Sequence, residues 1–203
     1  MSKAIVLYLH VHQPYRIRHY TIFDTAVQHD YFDAGYDDQT SNERISHKVA
    51  EKSYLPTNRK LLELLEANPA FRLSLSITGT VIEQLEKWAP EALQSFKDLV
   101  DTGRVEIVGE TYHHSLAFFY SRSEFEAQVA MHRQKVEEVF HQTPQVFRNT
   151  ELAYNNDIAY WADQAGYQGE LAEGWEKVLG WRSPNFVYRP AYTETIRLLM
   201  KNY

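Results

Sequence analysis

Apolar runs of strand length alternate along the chain with segments of helical period, the pattern of repeated βα units that build a parallel sheet. The first run is Ala4 to His12. The second, Phe71 to Thr78, alternates Phe71, Leu73, Leu75 and Ile77 with Arg72, Ser74 and Ser76. Val105 to Glu110, Gln145 to Glu151 and Tyr167 to Ala172 read as strands three to five, with a weaker sixth at Asn185 to Tyr188. Between them, a helical pattern with Pro56 in its first turn and Leu61, Leu62, Leu64 and Leu65 on an apolar face stops at Asn68-Pro69. Another starts near Thr80, restarts at Pro90 and ends at Gly103, a natural left-handed cap. Ser123 with Glu126 forms a capping box for a helix whose face holds Phe125, Val129, His132, Val136 and Val139, and which closes near His141. His132 on that face reads as a satisfied core residue. Asn155 or Asn156 starts a further helix closing on Ala165-Gly166. Thr193 to Tyr203 reads as a last helix, with an apolar stripe of Ile196, Leu199 and Met200.

An eight-unit βα barrel takes roughly 250 residues, about 31 per unit. This chain has 203 and spends those from Tyr15 to about His47 on one polar and aromatic connection. The expected fold is therefore an α/β, incomplete parallel (β/α) barrel, cut off after about six strands. No repeat or low-complexity linker marks a second domain, so 1–203 reads as one unit with an aromatic-rich insertion at about 15–47.

With 27 acidic and 21 basic side chains the net charge is −6, which argues against the basic surface that nucleic acid needs. The chain has no Cys, excluding disulfides, thiolate metal sites and a catalytic thiol. No run approaches the roughly 18 uncharged apolar residues of a membrane span. The first residues read as a strand, not a signal peptide, so a cytoplasmic protein without membrane contact is expected. The 28 aromatic residues, 14 of them Tyr, supply stacking walls for a flat ligand where they gather in loops.

In parallel βα architectures the site lies at the C-terminal strand ends. The first strand ends His10-Val11-His12-Gln13-Pro14, both imidazoles on one face. The third carries Glu106 and ends at Glu110, followed by Tyr112, His113 and His114. The fourth ends Arg148-Asn149-Thr150-Glu151, and the fifth carries Glu170, Glu173 and Trp175. These ends are expected to converge on one mouth. Two chemistries fit: a metal-dependent hydrolase or polysaccharide deacetylase with His10 and His12 as ligands and His113 or His114 completing the set, or glycoside hydrolysis by paired carboxyl groups. The aromatic first loop favours sugar. A third reading is a carbohydrate-binding fragment without turnover.

His10-Val11-His12-Gln13-Pro14, Gly103-Arg104-Val105-Glu106-Ile107-Val108 and Arg148-Asn149-Thr150-Glu151-Leu152-Ala153-Tyr154, in that order, resemble the first three of five signature regions of glycoside hydrolase family 57, whose members act on α-glucans. Leu179-Gly180-Trp181-Arg182-Ser183-Pro184 is similar to its α-amylase branch, and so is Arg148, where the glucanotransferase branch tends to carry Trp. The resemblance implies a retaining mechanism on a seven-fold (β/α) barrel, without cofactor or metal, on an α-glucan partner. It makes Glu151 the nucleophile and His10, His12, Glu106 and Trp181 substrate-binding residues. The family's general acid is an Asp of the fourth region, expected beyond residue 203. The chain alone is then expected to be inactive or nearly so, and to self-associate through an uncovered C-terminal edge and the stripe of its last helix.

Overall fold

The computed structural model describes residues 4–27, 29, 31–32 and 41–202. It divides into two compact units, one holding the chain up to Leu73 with Thr80–Val105, the other Ser74–Gly79 with the chain from Glu106 onward.

The first unit begins with β1 (Tyr8–Val11), shorter than the expected run. Its helical course starts earlier than the polar sequence suggests, at α1 (Asn42–Val49), where Ser41 caps the Arg44 N–H. A π turn over residues 50–54 hands on to α2 (Leu55–Ala67) without a break. Pro56 falls in the first turn of α2, as the sequence predicts, although the helical course runs into it from α1. The wider turn, in which Leu55 bonds back to Ala50, accommodates a residue without an N–H. α3 (Gly79–Trp88) and α4 (Pro90–Asp101) follow, and Gly103 takes the left-handed cap at φ +70°. Leu61 and Leu65 of α2 are buried with Leu93, Phe96 and Leu99 of α4, and Asn58 donates to Ser95 Oγ at 2.9 Å.

Parts of the long insertion are tied to this helical layer. Asn42 receives the Arg16 N–H at 2.8 Å and donates to the carbonyls of Arg16 and Phe32. Gln84, fully buried, donates to the Gln13 carbonyl at 2.7 Å. The Tyr15 ring lies 5.7 Å from Phe32 and 6.4 Å from Trp88. Residues 28, 30 and 33–40 of the insertion lie outside the described residues.

In the second unit the strands follow sequence order and, among the described residues, fall into two sheets, joined by one parallel bridge. Val108, just past β3 (Val105–Ile107), donates to Leu75 of β2 (Leu73–Ile77). Gly109 bridges Phe147 of β4 (Val146–Arg148) in parallel sense. β4 pairs with β5 (Gly169–Ala172), Phe147 opposite Glu170, and β5 pairs with β6 (Arg197–Met200), Glu170 opposite Leu198. α5 (Arg122–Phe140) and α6 (Asn156–Gln164) cover one face, where Phe125, Val129, Phe147, Ile158, Ala162, Tyr167 and Ile196 form the core. Phe125 and Trp161 meet edge to face at 4.5 Å. α5 is capped by Ser121 over Glu124, the motif two residues upstream of the expected Ser123-Glu126 box. That earlier start lays Arg122 over the Phe118 and Trp161 rings, at 4.7 and 5.8 Å. His141 and Asn155 end α5 and begin α6 as the sequence predicts. α7 (Glu176–Leu179) is one turn.

The last helix expected at Thr193–Tyr203 is not formed; that stretch holds β6. Asp163 explains the change: its carboxylate accepts the N–H groups of Glu194, Thr195 and Ile196, and these bonds, Glu194's first, hold its pKa down at about 2. Those N–H groups are thus taken in a bend that leads into β6 and places Ile196 in the core. Asn185–Tyr188 is likewise no strand; Tyr188 makes a single antiparallel bridge to Leu198. The apolar stripe that motivated self-association is therefore absent, and the outer side of β6 is bonded at Leu198. Among the described residues no helix is long and apolar enough to cross a membrane.

Glu170 is the anomaly of this sheet. It is fully buried in register with Phe147 and Leu198, and neither carboxyl oxygen has a hydrogen-bond partner among the described residues. Burial pushes its pKa up to about 8. In this strand it is a neutral acid at neutral pH. Because the unfolded glutamate ionises from about pH 4.5, the Glu170 contribution to stability is full below that pH and is lost by about pH 8, on the order of 5 kcal/mol. Glu170→Leu should flatten that decline and raise stability at pH 8, measured by urea unfolding across pH 4.5–9; an unchanged decline would show that another group causes it.

Candidate active site

The predicted site residues fall in both units. His10 and His12 end β1 in the first, their rings stacked at 6.0 Å and 6° apart. Trp181, in the second, is 90% exposed beyond α7, with the Arg182 guanidinium 5.3 Å from its ring centre. Glu106 and Glu151 also belong to the second unit, but the structure treats them differently.

The ends of β3 and β4 carry a continuous polar chain. Glu110, fully buried, is fixed at several points. Ser76 Oγ of β2 donates to its Oε1. Arg148 Nη1 of β4 donates to its Oε2 at 3.0 Å. Its own N–H donates to His132 Nδ1 at 3.4 Å, while His132 Nε2 lies 2.9 Å from the Ile77 carbonyl. Burial lowers the His132 pKa, so a neutral ring accepts from one strand end and donates to the other.

His114 extends this chain outward. Its Nδ1 lies 3.6 Å from Glu110 Oε2 and 3.4 Å from Arg148 Nη1, and its Nε2 lies 2.9 Å from Glu151 Oε1. Burial disfavours the imidazolium, yet hydrogen bonds to Glu110 and Glu151 outweigh it and set the His114 pKa above the usual value. The Glu151 side chain is 74% exposed, whereas that of Glu110 is wholly buried. A solvent-facing carboxylate is thus joined through one imidazole to a buried ion pair.

Both loops are held in unusual backbone. His114 and Glu151 each have φ +57°, and Leu152 follows at +55°. Left-handed conformations are costly for residues with side chains and persist only where surrounding bonds impose them. Here the Thr111 and Thr150 hydroxyls meet at 3.0 Å, the His114 N–H donates to the Thr111 carbonyl, and the Leu152 N–H donates to Asn149. The Glu173 N–H closes on the Leu152 carbonyl at 3.1 Å. At Gly79 a side chain would meet the Tyr112 ring at 2.3 Å, so glycine lets this loop lie against the end of β2.

Glu106 is not part of this chain. It precedes Glu110 by four residues, about 13 Å along a strand. Burial raises its pKa, opposed by hydrogen bonds from the backbone of Gln145 and Val146 at the start of β4. The carboxylate linked to Glu151, through His114, is Glu110, three residues past β3. His113, one of the two candidates for a further metal ligand beside His114, packs edge-on against Tyr112 at 4.8 Å, with its backbone N–H on Gln128 Oε1. The sequence marks Glu110, Arg148 and His114 as polar groups at strand ends, with nothing in the local pattern that links them. The roles of Ser76 and His132 had only a weak signal, a hydroxyl and an imidazole at otherwise apolar positions.

Comparison with known proteins gives this geometry a family. Residues 6–203 match Glycosyl hydrolase family 57. A Methanocaldococcus jannaschii protein, provisionally named an alpha-amylase, is 44% identical over 169 residues, 83% of this chain and 36% of that one. A GH57-type branching enzyme from Pyrococcus horikoshii superposes with TM-score 0.71 at 17% identity, over 98% of this chain and 46% of the other. The alpha-amylase AmyC from Thermotoga maritima gives TM-score 0.69 at 18% identity, over 100% of this chain and 46% of its own. The chain belongs to glycosyl hydrolase family 57, and its fold is part of a (β/α) barrel. It spans about a third of the length of the M. jannaschii relative.

The buried ion pair makes a stability prediction. Arg148→Met leaves Glu110 buried without its cation and should cost about 3–5 kcal/mol, whereas pairing it with Glu110→Leu should recover most of the loss. Urea unfolding of the two single variants and the double variant measures the coupling. Additive losses would mean that the two groups do not depend on each other.

Proposed function

We propose that this chain carries the nucleophile of a retaining glycosidase of the α-amylase type acting on 1,4-α-glucans. The observation that carries the reading is Glu151, an exposed carboxylate at the end of β4, held at one oxygen by His114. Membership of family 57 and the 44%-identical relative named for amylase activity support the substrate class. A glycosidase nucleophile must be ionised, accessible and fixed in direction, and the surroundings of Glu151 favour all three. One carboxylate oxygen attacks the anomeric carbon as the bond to the leaving oxygen breaks and that oxygen takes a proton from a general acid, forming a glycosyl ester. Water then breaks that ester and regenerates the carboxylate. His10 and His12, on one face of β1, are assigned to the hydroxyls of the sugar being cleaved, and the exposed Trp181 to stacking on a neighbouring ring. Glu106, bonded to the β4 backbone, is given no sugar contact.

A substrate that needs no proton donor isolates the nucleophile. In 5-fluoro-α-glucosyl fluoride the leaving fluoride requires no protonation, and the ring fluorine slows release of the ester. Attack forms the C1–O bond to Glu151 as the C1–F bond breaks. The expected result is a mass increase of one fluoroglucosyl group, mapped to the peptide containing Glu151 and lost in Glu151→Gln. Label on another residue, or equal labelling of Glu151→Gln, would remove Glu151 from the role.

A further inference from the structure

The proposed chemistry uses Glu151 but leaves unexplained why an exposed glutamate is joined to a buried ion pair. A glutamate at a strand end has broad, soft terminal torsions, and in water its carboxylate turns freely. Orientation must be supplied by something else. Here that something is a ring held from behind: His114 Nδ1 faces the Glu110–Arg148 pair at 3.6 and 3.4 Å, while Nε2 reaches Glu151 Oε1 at 2.9 Å. The two residues that meet are also two of those with left-handed backbone, and the Thr111–Thr150 bond spans their loops. Strain at both ends of a single hydrogen bond is hard to account for by packing alone.

We propose that His114 is the positioning residue of the nucleophile, donating Nε2–H to Glu151 Oε1 so that Oε2 is presented to the sugar, with Glu110 and Arg148 holding the imidazole in that direction. The inference rests on the glycosidase reading of Glu151. The donor does the same work in either charge state of the ring, because Nε2 carries a proton in the imidazolium and in the tautomer whose Nδ1 accepts from Arg148. It also has an energetic role. When the glycosyl ester breaks, negative charge returns to the carboxylate, and a donor already aimed at Oε1 stabilises it without reorganisation.

Two measurements on this chain test the proposal separately from the reading it rests on. The first is nitrogen-15 NMR of histidine-labelled protein, which needs no turnover. His114 should show a protonated Nε2 with a slowly exchanging hydrogen, and that signal should move in Glu151→Ala. An unprotonated Nε2, or a signal indifferent to Glu151→Ala, would overturn the proposal. The second is the kinetics of labelling by 5-fluoro-α-glucosyl fluoride. His114→Ala should slow the maximal labelling rate by about ten- to a hundredfold, with little change in the concentration giving half-maximal rate. His114→Gln, whose amide nitrogen reaches the Nε2 position, should recover most of it, a rescue that a merely structural loss would not give. Equal rates for wild type and His114→Ala would overturn the proposal even if the hydrogen bond were seen. A wild-type chain that binds the reagent without being labelled, while the NMR shows the bond, would instead overturn the glycosidase reading and uphold His114 as the anchor of Glu151.

Discussion

The second unit depends on one buried contact, the ion pair between Glu110 and Arg148. Two charges removed from water are favourable together only when their remaining hydrogen-bonding capacity is also met. On the Glu110 side that requirement accounts for the neighbours. Ser76 and Arg148 meet the carboxylate, His132 takes the backbone N–H of Glu110, and His114 faces the pair from the solvent side. Each partner comes from a different place in the sequence: β2, β4, α5 and the loop after β3. Satisfying one carboxylate thus fixes four segments at the same end of the sheet.

From that end the order passes outward. His114 is mostly buried, between the inner pair and the surface, so it converts the fixed geometry of the pair into the direction of an exposed side chain. The left-handed residues at both ends of the His114–Glu151 bond are maintained by the Thr111–Thr150 contact and the short turns around it. Glu170 is the opposite case. It lies one strand away with neither oxygen satisfied, and burial leaves it neutral. The two buried glutamates therefore differ, because Glu110 was given donors and a cation while Glu170 has apolar neighbours in register.

Much of this fold was legible in the sequence, because period-two alternation at Leu73–Ile77 and the apolar face of α5 report directly on burial. Gly103, His141 and Asn155 marked helix ends through backbone and capping chemistry that acts locally. Failures occurred where a distant partner decided the outcome. The stripe of Ile196, Leu199 and Met200 is compatible with a helix, and only the Asp163 carboxylate, more than thirty residues earlier, selects the strand. Glu106 lies in β3 and Glu110 three residues past its end, with the same chemistry. Which of them reaches Glu151 depends on where β3 ends and on an arginine from β4, and neither is written in local pattern. The candidate nucleophile was visible as a carboxylate closing a strand; the apparatus behind it was not.

The central claim is that Glu151, directed by His114, attacks the anomeric carbon itself and does not activate a water to do so. Stereochemistry distinguishes the two, because attack by the protein followed by water inverts the centre twice. Proton NMR of the first sugar released from α-maltosyl fluoride, read before mutarotation, measures it most directly. The account predicts that the α-anomer is released first; release of the β-anomer would contradict it.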